Sequence, residues 1–236
     1  TKVRNSQEGI EIAKGILYKN SNNKTVIFLS GGSTPTPLYK ELANEQMLNV
    51  GAIAMVDDRY GPPMHPNSNE LMITNTGLFK YCAMSNIPVY LTLKKYLSLT
   101  ETAKEYDEKV RYLFKSFPKR IAILGIGTDG HIASLPAQVK SQKFRPQGRK
   151  LRLKVKSLEF VSFVRSFPVE PRVPRISLNM NALSLTDLLI VIVFGEDKKE
   201  GIKKALKTFF KGTVSKKTIL ITDQPVSPLA RRGGKV

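Results

Sequence analysis

The chain of 236 residues is poor in several residue types, and each scarcity narrows the range of functions. It has one cysteine, Cys82, and no tryptophan. A single cysteine excludes an internal disulfide and favours a reducing compartment, so we expect a cytoplasmic protein in which Cys82 is a small buried residue. No apolar run is long enough to span a bilayer and no signal-like segment opens the chain, so we expect no membrane partner.

Acidic residues are the second scarcity. The chain has 19 acidic residues against 38 lysines and arginines, which gives a formal net charge of +19. The positive electrostatic field of this charge attracts polyanions and speeds the capture of phosphorylated small molecules. The sequence has no RNP-type aromatic motif, no zinc-type Cys/His spacing and no basic heptad helix, which argues against a nucleic-acid partner. The run from Lys140 to Lys156, with eight basic residues and no acidic one, is interpreted as a solubilising surface.

Short apolar runs alternate with segments of helical pattern along most of the chain. The predicted strands are Thr25–Ser30, Ala52–Val56, Ile87–Leu91, Ile121–Leu124, Arg175–Leu178, Leu188–Phe194 and Thr218–Ile221. The predicted helices are 6–19, Pro35–Met47, Ser68–Phe79, Thr100–Phe117 with Thr100 as its cap, and Asp197–Phe210. This alternation predicts an α/β fold in three layers, with a mostly parallel central sheet between helices. We expect a single domain over 1–236.

The segment Arg120–Leu135 reads RIAILGIGTDGHIASL and is the most informative part of the chain. A predicted buried strand ends in a turn with glycines at 125, 127 and 130, which lets the backbone bend tightly and approach a ligand. Asp129 and His131 follow in that turn, and the chain has only one other histidine, His65. A carboxylate beside an imidazole prepares a general base near neutral pH. His131 and Asp129 are therefore the predicted catalytic residues, whereas His65 lies in a Pro-rich loop and is expected to be structural.

The same glycines match the pattern Gly-x-Gly-x-x-Gly of dinucleotide-binding proteins, which makes a nicotinamide enzyme an alternative. That site needs an acidic residue about 20 positions after the motif to bind the ribose. After Asp129 the next acidic residue is Glu159, and a basic run lies between them. The match is therefore interpreted as coincidental.

Two further motifs follow predicted strands, and parallel strands of this kind bind ligands beyond their carboxyl ends. Ser30–Pro35 joins a strand to the start of a helix, where free N–H groups and the helix dipole favour an anion. Asp57-Asp58-Arg59 closes the next strand, so Arg59 could hold an anionic substrate. The residues predicted to bind substrate are Gly31, Gly32, Ser33, Thr34, Asp57, Arg59, Arg175 and Lys198.

Six segments occur in the order seen in 6-phosphogluconolactonases, and together they cover the chain from about Thr25 to Asp223. They are Ser30–Pro35, Asp57–Arg59, Ser68-Asn69, Gly125–Leu135, Arg175-Ile-Ser and Gly195-Glu-Asp-Lys198. The chain thus resembles that family, which groups with glucosamine-6-phosphate deaminases in a Rossmann-like superfamily. The segments 138–167 and 228–236 look little like the family and are atypical in this respect. The resemblance implies hydrolysis of 6-phosphoglucono-1,5-lactone in the oxidative pentose phosphate pathway, without metal or organic cofactor. It implies that His131 takes a proton from the attacking water. We expect a monomer or small homo-oligomer.

Two other functions remain as alternatives. The related deaminases follow Gly-His-Ile-Ala with Phe-Asn-Glu-Pro and usually carry Asp-Glu-Tyr, whereas this chain has Ser134-Leu135-Pro136 and Asp57-Asp58-Arg59. The missing glutamate favours the lactonase. A non-catalytic sugar-phosphate sensor is the second alternative, but such regulators carry a helix-turn-helix segment, and only about twenty residues precede the first predicted strand here.

Overall fold

The computed structural model describes residues 1–137 and 156–226. Most of the basic run Lys140–Lys156 and all of the atypical segment 228–236 lie outside the described residues. The helices are α1 Ser6–Asn20, α2 Thr36–Glu45, α3 Asn69–Thr74, α4 Leu78–Met84, α5 Leu99–Ser116, α6 Met180–Leu185, α7 Lys199–Thr208 and α8 Gly212–Lys216. The strands are β1 Thr25–Leu29, β2 Ala52–Met55, β3 Asp57–Arg59, β4 Val89–Tyr90, β5 Lys119–Leu124, β6 Lys156–Ser157, β7 Val161–Val164, β8 Arg175–Leu178, β9 Leu188–Val193 and β10 Thr218–Thr222.

The central sheet has six strands in the order β10-β9-β5-β1-β2-β4, and every neighbouring pair is parallel. All residues of β1 and β2 are buried, because helices flank the sheet and leave neither face of these strands to water. The predicted α/β fold with a mostly parallel sheet is confirmed. The chain runs outward from β1 to β2 and β4, then returns to β5 on the other side of β1. Such a reversal of strand order opens a crevice at the carboxyl ends of the strands.

A second sheet was not predicted. It contains four antiparallel strands in the order β3-β8-β7-β6. The predicted strand Arg175–Leu178 belongs here and not to the parallel sheet, because a short apolar run does not reveal which sheet it joins. Asp57–Arg59, predicted to close the strand Ala52–Val56, forms a separate strand that pairs with Arg175–Leu178. Two strands of this sheet, β6 and β7, lie in the part of the chain that we expected to be atypical.

Several predicted helix boundaries were wrong. The cap of α5 is Ser98 and not Thr100, because Ser98 and Glu101 form a capping box in which each side chain bonds the other residue's backbone N–H. The predicted helix Ser68–Phe79 is two helices, since Gly77 at φ 86° separates α3 from α4. In the part of the chain that the structure describes, no helix has both the length and the apolar composition needed to cross a bilayer.

Candidate active site

The turn after β5 brings Asp129 and His131 together. The N–H of Gly127 donates to the carbonyl of His131 at 2.9 Å, and the N–H of Gly130 donates to the carbonyl of Gly127 at 2.9 Å. Gly130 has φ +90°, a conformation that favours glycine, and a Cβ on Gly127 would collide with the His131 ring. Of the three glycines predicted to permit a tight bend, Gly127 therefore also leaves room for the imidazole.

The imidazole and the carboxylate form a short hydrogen bond, 2.5 Å between Nδ1 of His131 and Oδ1 of Asp129. Partial burial raises the pKa of Asp129, but the hydrogen bond and charge of His131 outweigh burial and hold that pKa below its usual value. Asp129 is thus ionised at neutral pH and accepts a proton that resides on Nδ1. Nε2 is left as the basic nitrogen, and within residues 1–137 and 156–226 nothing bonds to it.

The loop Ser30–Pro35 lies beside this pair at the start of α2. The first residue of α2 is Thr36, and its cap residue Pro35 offers no side-chain hydrogen bond to the free N–H groups of the first turn. Gly32 has φ +110°. An uncapped helix start in a glycine-containing loop is a ready site for an anion.

Arg59 and Arg175 lie directly opposite each other on two adjacent strands of the second sheet. They are register partners in the antiparallel pair of β3 and β8, so their side chains leave the same face. Like charges in this position destabilise a sheet unless an anion lies between them. In the described residues no carboxylate lies within 4.0 Å of either guanidinium, although Arg59 donates to the carbonyl of Asn67 at 2.8 Å. Burial and the charge of Arg59 lower the pKa of Arg175 to about 10, so it remains cationic at neutral pH.

We expect Arg175→Met to weaken the binding of inorganic phosphate by about 10- to 100-fold, because hydrogen bonds to charged groups contribute about 1.5–3 kcal/mol each. The variant should fold as stably as the wild type or more stably, since an apolar residue replaces a buried unpaired charge. Calorimetric titration with phosphate measures the first effect and urea unfolding the second. Arg172→Met is the control, because it removes the same charge from an exposed position. Equal phosphate affinity in the two variants would contradict the assignment.

The two aspartates of Asp57-Asp58-Arg59 point in opposite directions, as neighbours in a strand do. Asp57 lines the cavity described below, and its Oδ2 accepts a hydrogen bond from Ser134 at 2.7 Å. Asp58 is fully buried and accepts the N–H groups of Arg59 at 2.7 Å, Asn69 at 2.7 Å and Glu70 at 3.0 Å. Asp58 therefore anchors the first turn of α3 under the site.

Asp58 makes stability depend on pH. Burial raises its pKa from 3.8 to about 7, against the opposing effect of the backbone donors. Between these values the folded state binds a proton that the unfolded state releases, so the contribution of Asp58 to the free energy of unfolding falls as pH rises from about 4 to about 7. Asp58→Asn should remove this pH dependence. Between about pH 4 and pH 7, the free energy of unfolding of the variant should rise relative to that of the wild type by up to about 4 kcal/mol. Urea unfolding from pH 4 to 8 measures it, and parallel stability curves would contradict it.

All these elements meet around one cavity of about 160 Å³ that is open to solvent. Its lining includes every residue predicted to bind substrate and also His131, namely Gly31, Gly32, Ser33, Thr34, Asp57, Arg59, His131, Arg175 and Lys198. Asp129 does not line the cavity but is hydrogen-bonded to Nδ1 of His131. Lys198 lies in a short 3₁₀ turn before α7, with its Nζ 3.4 Å from Asp197.

Other residues of the site were not among the candidates. Asn69 lines the cavity, and its amide donates to the carbonyl of Asp57 at 2.9 Å. Phe167 is buried against both His131 and Arg175. His65, expected to be structural, has Nε2 2.8 Å from the carbonyl oxygen of Arg59. Throughout 1–137 and 156–226, no three His, Cys, Asp or Glu side chains are close enough together to hold a metal ion.

Comparison with known proteins gives consistent matches. A model of the family described as glucosamine-6-phosphate isomerases/6-phosphogluconolactonase matches residues 10–229. The 6-phosphogluconolactonase of Nostoc sp. is 35% identical over 116 residues, 46% of this chain and 48% of that protein, so this match spans about half of the relative. The 6-phosphogluconolactonase of Thermotoga maritima is 27% identical over 186 residues, 78% of this chain and 76% of the relative. The crystal structure of a 6-phosphogluconolactonase from Thermotoga maritima has the same fold, with a TM-score of 0.69 at 24% identity, covering 94% of this chain and 96% of that one.

Proposed function

Because the chain belongs to the family of glucosamine-6-phosphate isomerases and 6-phosphogluconolactonases, we propose that its cavity hydrolyses 6-phosphoglucono-1,5-lactone with His131 as the general base. The observation that carries this proposal is the position of His131. Its Nδ1 is bonded to Asp129, and the ring lines the same cavity as two opposed arginines. A base beside a cationic anion site suits an ester that carries a phosphate.

The first chemical step is the attack of water on the lactone carbonyl. Nε2 of His131 takes one proton from the water as its oxygen bonds to C1, and the carbonyl oxygen becomes an oxyanion. The N–H groups of Gly127 and Gly130 are already bonded within the turn, so they do not stabilise this charge. His131 shares its cavity with the cationic side chains of Arg59, Arg175 and Lys198, and their positive field stabilises the oxyanion.

The second step opens the ring. The oxyanion re-forms the C1 carbonyl as the bond from C1 to the ring oxygen breaks, and protonated His131 returns its proton to that oxygen. The immediate product is 6-phosphogluconic acid, which releases its carboxyl proton to solvent and becomes 6-phosphogluconate. Asp129 stabilises the imidazolium between the two steps, since its carboxylate stays ionised. No group of the protein ends the cycle in a changed protonation state.

The phosphate is assigned to the cationic part of the cavity. We assign its oxygens to the loop Gly31–Thr34 with the uncapped start of α2, and to the side chains of Arg59, Arg175 and Lys198. The +19 charge of the chain then serves to attract a doubly charged substrate. On this proposal the protein works in the cytoplasm as a monomer or small homo-oligomer, needs no nucleic acid, and turns over lactone at a rate that added DNA does not change.

Deaminase activity is the nearest alternative. The related deaminases supply a glutamate after Gly-His-Ile-Ala, where this chain has Ser134-Leu135-Pro136. Among the described residues that line the cavity, the single carboxylate is that of Asp57. Without a glutamate for ring opening, the lactonase reaction fits the cavity better.

One assay tests the proposed function. Glucose-6-phosphate dehydrogenase generates the lactone in situ, and its disappearance is followed with and without the protein. We expect the lactone to disappear faster than by spontaneous hydrolysis, and the additional rate should be proportional to enzyme concentration. Glucosamine 6-phosphate is offered in parallel, and ammonia release is measured. No acceleration of lactone loss would overturn the proposal, and ammonia release would establish the deaminase.

A further inference from the structure

One aromatic ring joins the base to the cationic part of the site. The Phe167 side chain is fully buried. The guanidinium carbon of Arg175 lies over this ring, 3.9 Å from its centroid. The centroids of the Phe167 and His131 rings are 5.2 Å apart, and the ring planes meet at 80° in an edge-to-face contact. Phe167 thus touches the base and an anion-binding cation at the same time.

The loop after Phe167 holds Arg175 from the same side. Nη2 of Arg175 donates to the carbonyls of Pro171 at 3.2 Å and Val169 at 3.5 Å. The loop closes on itself, because the N–H of Phe167 donates to the carbonyl of Val173 at 3.3 Å. These contacts come from neutral groups. The cationic head of a buried arginine is therefore held by two carbonyls and an aromatic face instead of by a carboxylate.

This arrangement suits an arginine that must stay available to an anion. A carboxylate partner would compete with substrate for the guanidinium, whereas the face of a ring attracts the cation without occupying its N–H donors. Nε of Arg175 is buried and has no hydrogen-bond partner in the described part of the chain. The protein thus leaves the hydrogen-bonding capacity of the guanidinium incompletely used.

We propose that Phe167 is a positioning residue, whose ring fixes the Arg175 guanidinium and the His131 imidazole relative to each other. The effect of Phe167 on catalysis rests on the proposed lactonase function. Its effect on anion binding at Arg175 does not, because any anion bound there needs the same support.

The first test replaces the ring by an aliphatic side chain. Phe167→Leu should lower kcat/KM for the lactone by about 10- to 100-fold, with a rise in KM from the displaced Arg175 and a fall in kcat from the displaced His131. Phe163→Leu is the control, because Phe163 is also buried, lies on β7 and does not line the cavity. It should cost comparable stability and change kcat/KM by less than about 3-fold. Equal effects of the two variants on kcat/KM would overturn the proposal.

The second test keeps the shape of the ring and changes its charge distribution. Progressively fluorinated phenylalanines at position 167 withdraw the negative charge from the ring face and weaken cation–π attraction. The dissociation constant for inorganic phosphate, measured by calorimetry, should rise stepwise to about 3- to 10-fold for the trifluorinated ring. The same residues at position 163 should leave it unchanged. A flat series at position 167 would overturn the role assigned to the ring.

These two measurements separate the inference from the proposed function. If the wild-type protein fails to hydrolyse the lactone but the phosphate series rises at position 167, the lactonase proposal is wrong and the positioning of Arg175 stands. If the wild type is active and neither Phe167→Leu nor the fluorinated series differs from its control, the proposed function stands and this inference is wrong.

Discussion

Replacing His131 by asparagine is expected to lower kcat for the lactone by about 10²–10⁴-fold, the range that the loss of a general base produces. The physical reason is specific to Nε2. Asparagine can still accept or donate a hydrogen bond, but it cannot take a proton from water near neutral pH. Binding of 6-phosphogluconate should change by less than about 3-fold, because Arg59, Lys198 and the start of α2 are untouched. Stopped assays give kcat, and calorimetry with the product gives the affinity.

Two further variants sharpen this prediction. Asp129→Asn leaves the imidazole in place but removes the carboxylate that holds the proton on Nδ1, so kcat should fall by about 10- to 100-fold, less than for His131→Asn. His65→Gln alters the only other histidine and should leave kcat within about 3-fold of the wild type. Wild-type turnover in His131→Asn would exclude this histidine as the base.

The central sheet could be predicted from the sequence because its strands are buried on both faces. Such strands are continuous apolar runs, and β1, β2 and β5 stand out between polar segments. The second sheet gave no comparable signal. Asp57–Arg59 is three charged residues long, and it forms a strand only because β8 offers it a partner. Nothing local to either segment encodes that pairing.

The candidate site was predictable where its residues are neighbours in the sequence or directly follow adjacent parallel strands. Asp129 and His131 are two residues apart, and the loops after β1, β2 and β5 meet because these strands are adjacent and parallel. The contact of Phe167 with His131 joins residues that are far apart in the sequence, so no spacing in the sequence reveals it. The same holds for the pairing of Arg59 with Arg175. The sequence supplied both arginines as candidates, but only the antiparallel register shows that they face each other.

A substitution at Gly127 is expected to produce the second large loss of kcat. It tests the orientation of His131 without changing any catalytic group. A Cβ at this position would collide with Nδ1 and Cε1 of His131 and lie 2.7 Å from Oδ1 of Asp129. The backbone of Gly127 is not in the left-handed region that favours glycine, so alanine meets no conformational strain there. The three nearest atoms all belong to the catalytic pair, and the imidazole can relieve the collision by rotating away from Asp129.

We therefore expect Gly127→Ala to fold normally and to lose at least about 10²-fold in kcat, since misplacement of a reacting group by about 1 Å costs that much. Gly15→Ala is the control, because a Cβ at Gly15 in α1 meets nothing within 4 Å. The loss of kcat in Gly127→Ala should come with unchanged phosphate affinity and a similar unfolding midpoint. A fully active Gly127→Ala enzyme would mean that the hydrogen bond between His131 and Asp129 is dispensable. The general base would then have to work without the orientation that the turn after β5 gives it.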